Sequence, residues 1–149
     1  MPDAATHILI QIAINQFKVL HKCAPYALFG AVAPDLFKAV SRLVSPKLGW
    51  AFYPTHSPIF MLVVFFAISL LFHQRERIPL IKGCMIGMIV HLFLDLFQIN
   101  LGGGNYMPFF PFSFYSVSFG IIKTEASIFW LPITLIITTL IVKFKYFFK

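Results

Sequence analysis

The sequence predicts an all-α integral membrane protein, a helical bundle of four to five segments forming a single domain over residues 1–149. Three observations carry this expectation. Hydrophobic residues make up 59% of the chain and charged residues only 11%, whereas ordinary soluble domains are about a quarter charged. Nineteen phenylalanines add apolar area that a chain of 149 residues cannot enclose in a core of its own. The apolar residues also fall into segments divided by proline, glycine and basic residues, the pattern of membrane helices and their connections. The mean hydropathy is +0.85.

The first segment covers about residues 3–21, with Asp3 or Thr6 as candidate N-caps. Gln11, Asn15, Gln16 and Lys18 make it more polar than a plain lipid-facing span. The second covers about residues 25–40, and Pro34 is expected to end or kink it just before Asp35. A loop over residues 41–58 follows, containing Pro46, Gly49, Pro54 and Pro58. The third segment, residues 59–72, is the purest apolar run, yet it is short of the roughly 20 residues a span needs. A polar, basic connection over residues 73–77 leads into the fourth, residues 80–101. That segment is long enough to span, but it holds His91 and Asp95. Gly83 and Gly87 form a small-xxx-small pair that permits close helix approach. A glycine-, proline- and aromatic-rich loop over residues 102–123 suits a bilayer interface. The fifth segment, residues 126–142, carries Pro132 and runs into a basic tail of Lys143, Lys145 and Lys149.

The net charge of +7 is spread over segment ends and forms no stripe, which argues against nucleic acid and for anionic lipid. With alternate crossings, eight of the twelve Lys and Arg residues lie on one side and Lys38, Arg42, Lys47 and Lys123 on the other. The positive-inside rule then places the N-terminus and the loops over 41–58 and 102–123 outside the cytoplasm. Cys23 and Cys84 read as buried free thiols. The start of the chain lacks the marks of a signal peptide, so the first segment is expected in the mature protein.

Five residues stand out chemically. Asp35 and Asp95 are two of only five acidic residues and lie in apolar settings, where an ionised carboxylate needs a partner. His91 and Asp95 are four apart, so a helix puts both on one face, where they either share a divalent ion or hydrogen-bond to hold helices together. Singly, Asp35, His56 and His7 are unremarkable. Traced through a bundle whose first two segments form a hairpin, all five fall at the same end, and three His with two Asp there point to a metal site. His21 and His73 fall at the opposite end as interface residues. Glu125 reads as a helix N-terminal glutamate, with an extra ligand or base as its other role.

Thr6-His7, Gly30-Ala31-Val32-Ala33-Pro34-Asp35, Thr55-His56-Ser57 and Gly87-Met88-Ile89-Val90-His91-Leu92-Phe93-Leu94-Asp95, followed by Pro108-Phe109, resemble the YdjM-like family of membrane-bound, metal-dependent hydrolases. The same order of motifs is similar to that of zinc-dependent phospholipase C. What that resemblance implies is Asp35, His56, His91 and Asp95 as ligands of one zinc, with His7 beside a second metal. The phospholipase group has further His and Glu ligands after its last motif, and no histidine follows His91 here. One ion or two is therefore expected, zinc foremost. The resemblances imply hydrolysis of a phosphoester in a lipid or lipid-linked substrate at the bacterial inner membrane, with Asp35 or Asp95 in the catalytic role of orienting or deprotonating water. Lys38, Arg42 and Lys47 would attract an anionic headgroup. The alternatives are a structural metal site and a metal or proton carrier. The lack of polar residues in the third segment counts against the carrier.

Overall fold

Helices account for the regular structure of the computed structural model, which describes residues 4–45, 47, 52–97, 107–115, 117–121 and 127–147. In chain order they are α1 (Ala4–Ile14), a 3-10 turn (Lys18–Leu20), α2 (Ala24–Val44), α3 (Phe52–Thr55), α4 (Pro58–Ser69), α5 (Gln74–Leu96) and α6 (Ser127–Phe147). The all-α expectation holds among the described residues. Asp3, Pro46, Gly49, Gly102 to Gly104, Lys123 and Glu125 lie outside them.

Element boundaries shift for identifiable reasons. After Ile14 the helix tightens into turns, with Gln16 and Phe17 amides donating to the Ala13 and Ile14 carbonyls, and Asn15 Nδ2 donates to the Ala24 carbonyl at 3.0 Å. This bond closes the α1–α2 hairpin. α2 does not stop at Pro34 but runs through it to Val44. A proline removes one intrahelical bond, and here the helix is held on both sides of it by packing. Asp35 is thus mid-helix, with more than two turns beyond it, and not at a helix end as expected. The loop over 41–58 shrinks accordingly and includes the single turn of α3. Ser57 caps α4, with Pro58 at its first turn, where a missing N–H costs nothing. At the other end, Arg77 donates to the carbonyls of Phe72 and Leu70, which the end of α4 leaves open. α6 absorbs Lys143 and Lys145 from the expected tail.

The central contact is α2 against α5. A methyl group built on Gly87 would meet the Ala31 nitrogen at 2.5 Å, and one on Gly30 would meet Cys84 Cα at 2.6 Å. No side chain separates the two backbones there, so the small-xxx-small expectation is realised with Gly30 as the third member. α4 packs on α5 through Met61, Phe65 and Met88. α1 lies against α2, α5 and α6, tied to α6 by Thr138 Oγ1 donating to the Leu9 carbonyl at 3.0 Å. Both cysteines are free, Cys84 buried and Cys23 half-buried.

Large apolar side chains cover the outside of the bundle, among them Val63 and Phe66 on α4, Ile89 and Phe93 on α5, and Leu135 and Leu140 on α6. Continuous apolar surface of this kind suits lipid and not water. Among the described residues α5 is long and apolar enough to cross a membrane, about 35 Å at 1.5 Å per residue. α4, with 12 residues, is a shorter apolar helix.

Candidate metal centre

The packing just described brings His7, Asp35, His56, His91 and Asp95 to one point. α1 contributes His7 from its first turn, α2 contributes Asp35, the turn between α3 and α4 contributes His56, and α5 contributes the i, i+4 pair. The close α2–α5 approach sets the height of Asp35 against His91 and Asp95. Side chains of His7, His56, His91 and Asp95 are buried, and Asp35 alone keeps a visible edge at 15% exposure.

The distances form a tight polyhedron. His56 Nε2 lies 3.5 Å from His91 Nε2, 3.6 Å from Asp95 Oδ2 and 3.7 Å from Asp35 Oδ1. His91 Nε2 lies 3.3 Å from Asp95 Oδ2. Ligands at 2.0–2.2 Å around a tetrahedral ion sit about 3.3–3.6 Å apart, and the three separations within His56–His91–Asp95 match that spacing. Asp95 divides its carboxylate: Oδ2 faces His56 and His91, while Oδ1 faces His7 Nε2 at 3.5 Å. The rings of His7 and His91 stack with centroids 4.1 Å apart.

With all three imidazoles neutral, the cluster has fewer protons than inward-facing acceptors. His91 Nδ1 lies 2.8 Å from the Ala31 carbonyl, which can only accept, so the neutral ring donates there and presents a lone pair at Nε2. The acceptors facing inward are then His91 Nε2, Asp35 Oδ1 and both oxygens of Asp95. His7 and His56 carry at most one proton each when neutral. Two protons cannot serve four acceptors, and the oxygens Asp35 Oδ1, Asp95 Oδ1 and Asp95 Oδ2 are buried with no hydrogen-bond donor. Buried carboxylates left this way are costly, and a divalent cation resolves the deficit. The residues present therefore fit a metal ion, with the triads His56–His91–Asp95 and His7–Asp35–His91 each able to converge on one.

A second layer holds the ligands. Thr55 Oγ1 lies 3.0 Å from His56 Nδ1. Ser57 Oγ donates to the Phe110 carbonyl and so pins the proline–aromatic loop beside the site. The end of α5 is completed by the segment 117–121, where the Phe119 and Ile121 amides donate to the Leu96 and Phe97 carbonyls. None of these partners, nor the Ala31 carbonyl, was assigned from the sequence. Thr55 and Ser57 flank His56 and were visible in the motif, whereas a backbone carbonyl leaves no sequence signal.

The other singled-out residues lie elsewhere. His21 is exposed at the far end of α1, with Lys145 Nζ 2.9 Å from its Nε2. His73 precedes α5 at that same end. Lys38 is buried one turn beyond Asp35, and Lys47 is exposed. The Arg42 side chain and Glu125 lie outside the described residues.

Fold and site define a helical membrane protein with a candidate divalent-metal centre buried among its helices. The YdjM inner membrane protein family matches residues 3–148, and the chain belongs to that family. This bears out the YdjM-like resemblance and does not extend to phospholipase C. The chain is also similar to the uncharacterized protein YvsG of Bacillus subtilis (strain 168), 35% identical over 81 residues, covering 48% of each. It thus spans about half the length of that curated relative. No solved structure matches it.

Proposed function

We propose that the protein is a membrane-bound, metal-dependent hydrolase acting on a phosphoester of a lipid or lipid-linked substrate. The observation that carries this reading is the convergence of five His and Asp side chains, four of them buried, in which Asp35 Oδ1 and both Asp95 oxygens have no donor. The choice of hydrolysis comes from the resemblance of the motifs to metal-dependent hydrolases. In this reading the chain is a bundle of four to five membrane segments with its site on the extracytoplasmic side.

His56, His91, Asp95 and Asp35 hold the ion, and His7 borders it through the second oxygen of Asp95. Zinc is the ion that best suits mixed imidazole and carboxylate ligands at tetrahedral spacing. When bound it supplies Lewis acidity toward a phosphoryl oxygen and an attacking water. Asp35, the one ligand with an exposed edge, orients that water and takes its proton, and Asp95 keeps the imidazoles in place. Lys38, Arg42 and Lys47 follow Asp35 along the chain and favour an anionic headgroup.

The near-complete burial of four of the five side chains also favours a second reading, a closed structural metal site with no open position. One experiment decides between the two. Metal content and phosphodiester hydrolysis are measured on the purified protein and on His91→Ala and Asp95→Ala. Metal bound by the wild type alone, with hydrolysis that the variants lose, supports the enzyme. Metal without hydrolysis of any phosphoester leaves the structural site, and a wild type that binds no more metal than the variants sinks both.

A further inference from the structure

One face of α1 carries a row of polar side chains that runs from the site toward the far end of the bundle. His7, Gln11 and Asn15 are spaced by four, one per helical turn, and all three are buried. The far end of this row is anchored to the backbone. Asn15 Nδ2 donates to the Ala24 carbonyl, which can only accept. Asn15 therefore offers Oδ1 to its neighbour, and Gln11 Nε2 donates to it at 2.9 Å. This fixes the Gln11 amide in turn: the oxygen Oε1, not the NH2, is the group left over. Gln11 is 0% exposed, and its Oε1 has no hydrogen-bond partner. One turn nearer the metal centre, His7 Nδ1 is buried and unpartnered as well. An orphaned acceptor and an orphaned ring nitrogen thus occupy adjacent turns of one helix face.

We infer that Gln11, held by Asn15 and the Ala24 carbonyl, is a positioning residue for His7. Its Oε1 accepts a hydrogen bond from His7 Nδ1–H through one bridging water, which keeps the Nε2 lone pair turned toward Asp95 and the cation. The inference rests on the metal-site reading proposed above. His91 has the same design, since its Nδ1 is bonded to Ala31 and its Nε2 faces the cluster. Outer partners of this kind fix the tautomer and orientation of ligating imidazoles. Amides do not release protons at ordinary pH, so the row orients a ring and does not conduct protons to the far end of the bundle. The competing tautomer places the proton on Nε2, donates it to Asp95 Oδ1 and removes His7 from the ligand set.

The test uses the full chain in detergent, labelled with 15N-histidine, with the His7 signal identified by its loss in His7→Gln. Long-range 1H–15N correlations report which ring nitrogen carries the proton, with or without metal. The expected result is Nδ1–H in the wild type and a shift toward Nε2–H in Gln11→Leu. Zinc affinity, titrated with zinc alone, falls about tenfold in Gln11→Leu and changes less than about twofold when His7→Gln is already present. Asn15→Leu, which unanchors Gln11, moves the same signal in the same direction and serves if Gln11→Leu does not fold. A wild-type His7 protonated on Nε2 overturns the inference, as does a Gln11→Leu protein with an unchanged tautomer. So does an equal loss of zinc affinity in the His7→Gln background, which would make Gln11 a packing residue. If the wild type binds no zinc, the metal reading fails, and the metal-free tautomer still decides the role of Gln11.

Discussion

Gly30→Ala should weaken metal binding strongly without touching a ligand. The added Cβ would lie 2.6 Å from Cys84 Cα and 2.7 Å from its carbonyl carbon, where ordinary contact begins at 3.4 Å. These are backbone atoms of a facing helix and cannot rotate away, so α2 and α5 must part by at least about 0.8 Å at that level. Overpacking of this sort costs about 1–3 kcal/mol of stability. Its effect on the site is larger in proportion. Asp35 follows Gly30 on α2, and His91 and Asp95 follow Cys84 on α5, so the separation opens the ligand polyhedron along its α2–α5 edge. Metal–ligand distances tolerate only about 0.2 Å, so Asp35 drops out of any joint coordination with the α5 pair. Zinc affinity should fall by about 100-fold, at the upper end of what outer-shell changes produce. Competition against a chromophoric chelator reads the affinity, and a thermal melt reads the stability. Ile89→Ala, on the exposed face of α5, is the control and should leave zinc binding unchanged. A Gly30→Ala protein that loses stability yet binds zinc within about threefold of wild type would refute the claim that α2–α5 contact sets the site.

Three further outcomes are expected. Zinc at about 100 times its dissociation constant should stabilise the protein by about 2.7 kcal/mol, seen as a raised melting temperature that a chelator reverses; in Asp95→Asn neither zinc nor chelator should move the melt. Imidazole ligands bind metal only when neutral, so zinc affinity should fall as the pH is lowered; an affinity that does not change on acidification would count against His56 and His91 as ligands. Ser57→Ala removes the α4 cap and the bond to the Phe110 carbonyl, and should cost about 1 kcal/mol, with faster hydrogen exchange over residues 107–115.

Much of the site was legible in the chain because each ligand is chemically out of place. Asp35 and Asp95 are carboxylates in apolar runs, and His91 and Asp95 carry helical spacing in plain view. His7 and His56 were readable only once a hairpin put their segment ends together, an assumption the Asn15–Ala24 bond now explains. Gln11 and Asn15 were visible as polar residues, but nothing local told their amides apart. Gly30 stood in a motif, but its packing role was not read, since its partner on α5 is 54 positions away.

Composition pointed to a membrane, because too few charges remain to face water and too many aromatics remain to bury. Hydropathy and turn residues set the number and order of segments to within a few residues. Tertiary structure decided what those local rules could not: that α2 continues past Pro34, that glycines let α2 and α5 touch, and that five side chains from four stretches of chain meet with Asp35 Oδ1 and both Asp95 oxygens left without a donor. The reason is physical. A segment's propensity depends on its neighbours in sequence, whereas a metal site is a set of distances, and those exist only once the helices have packed.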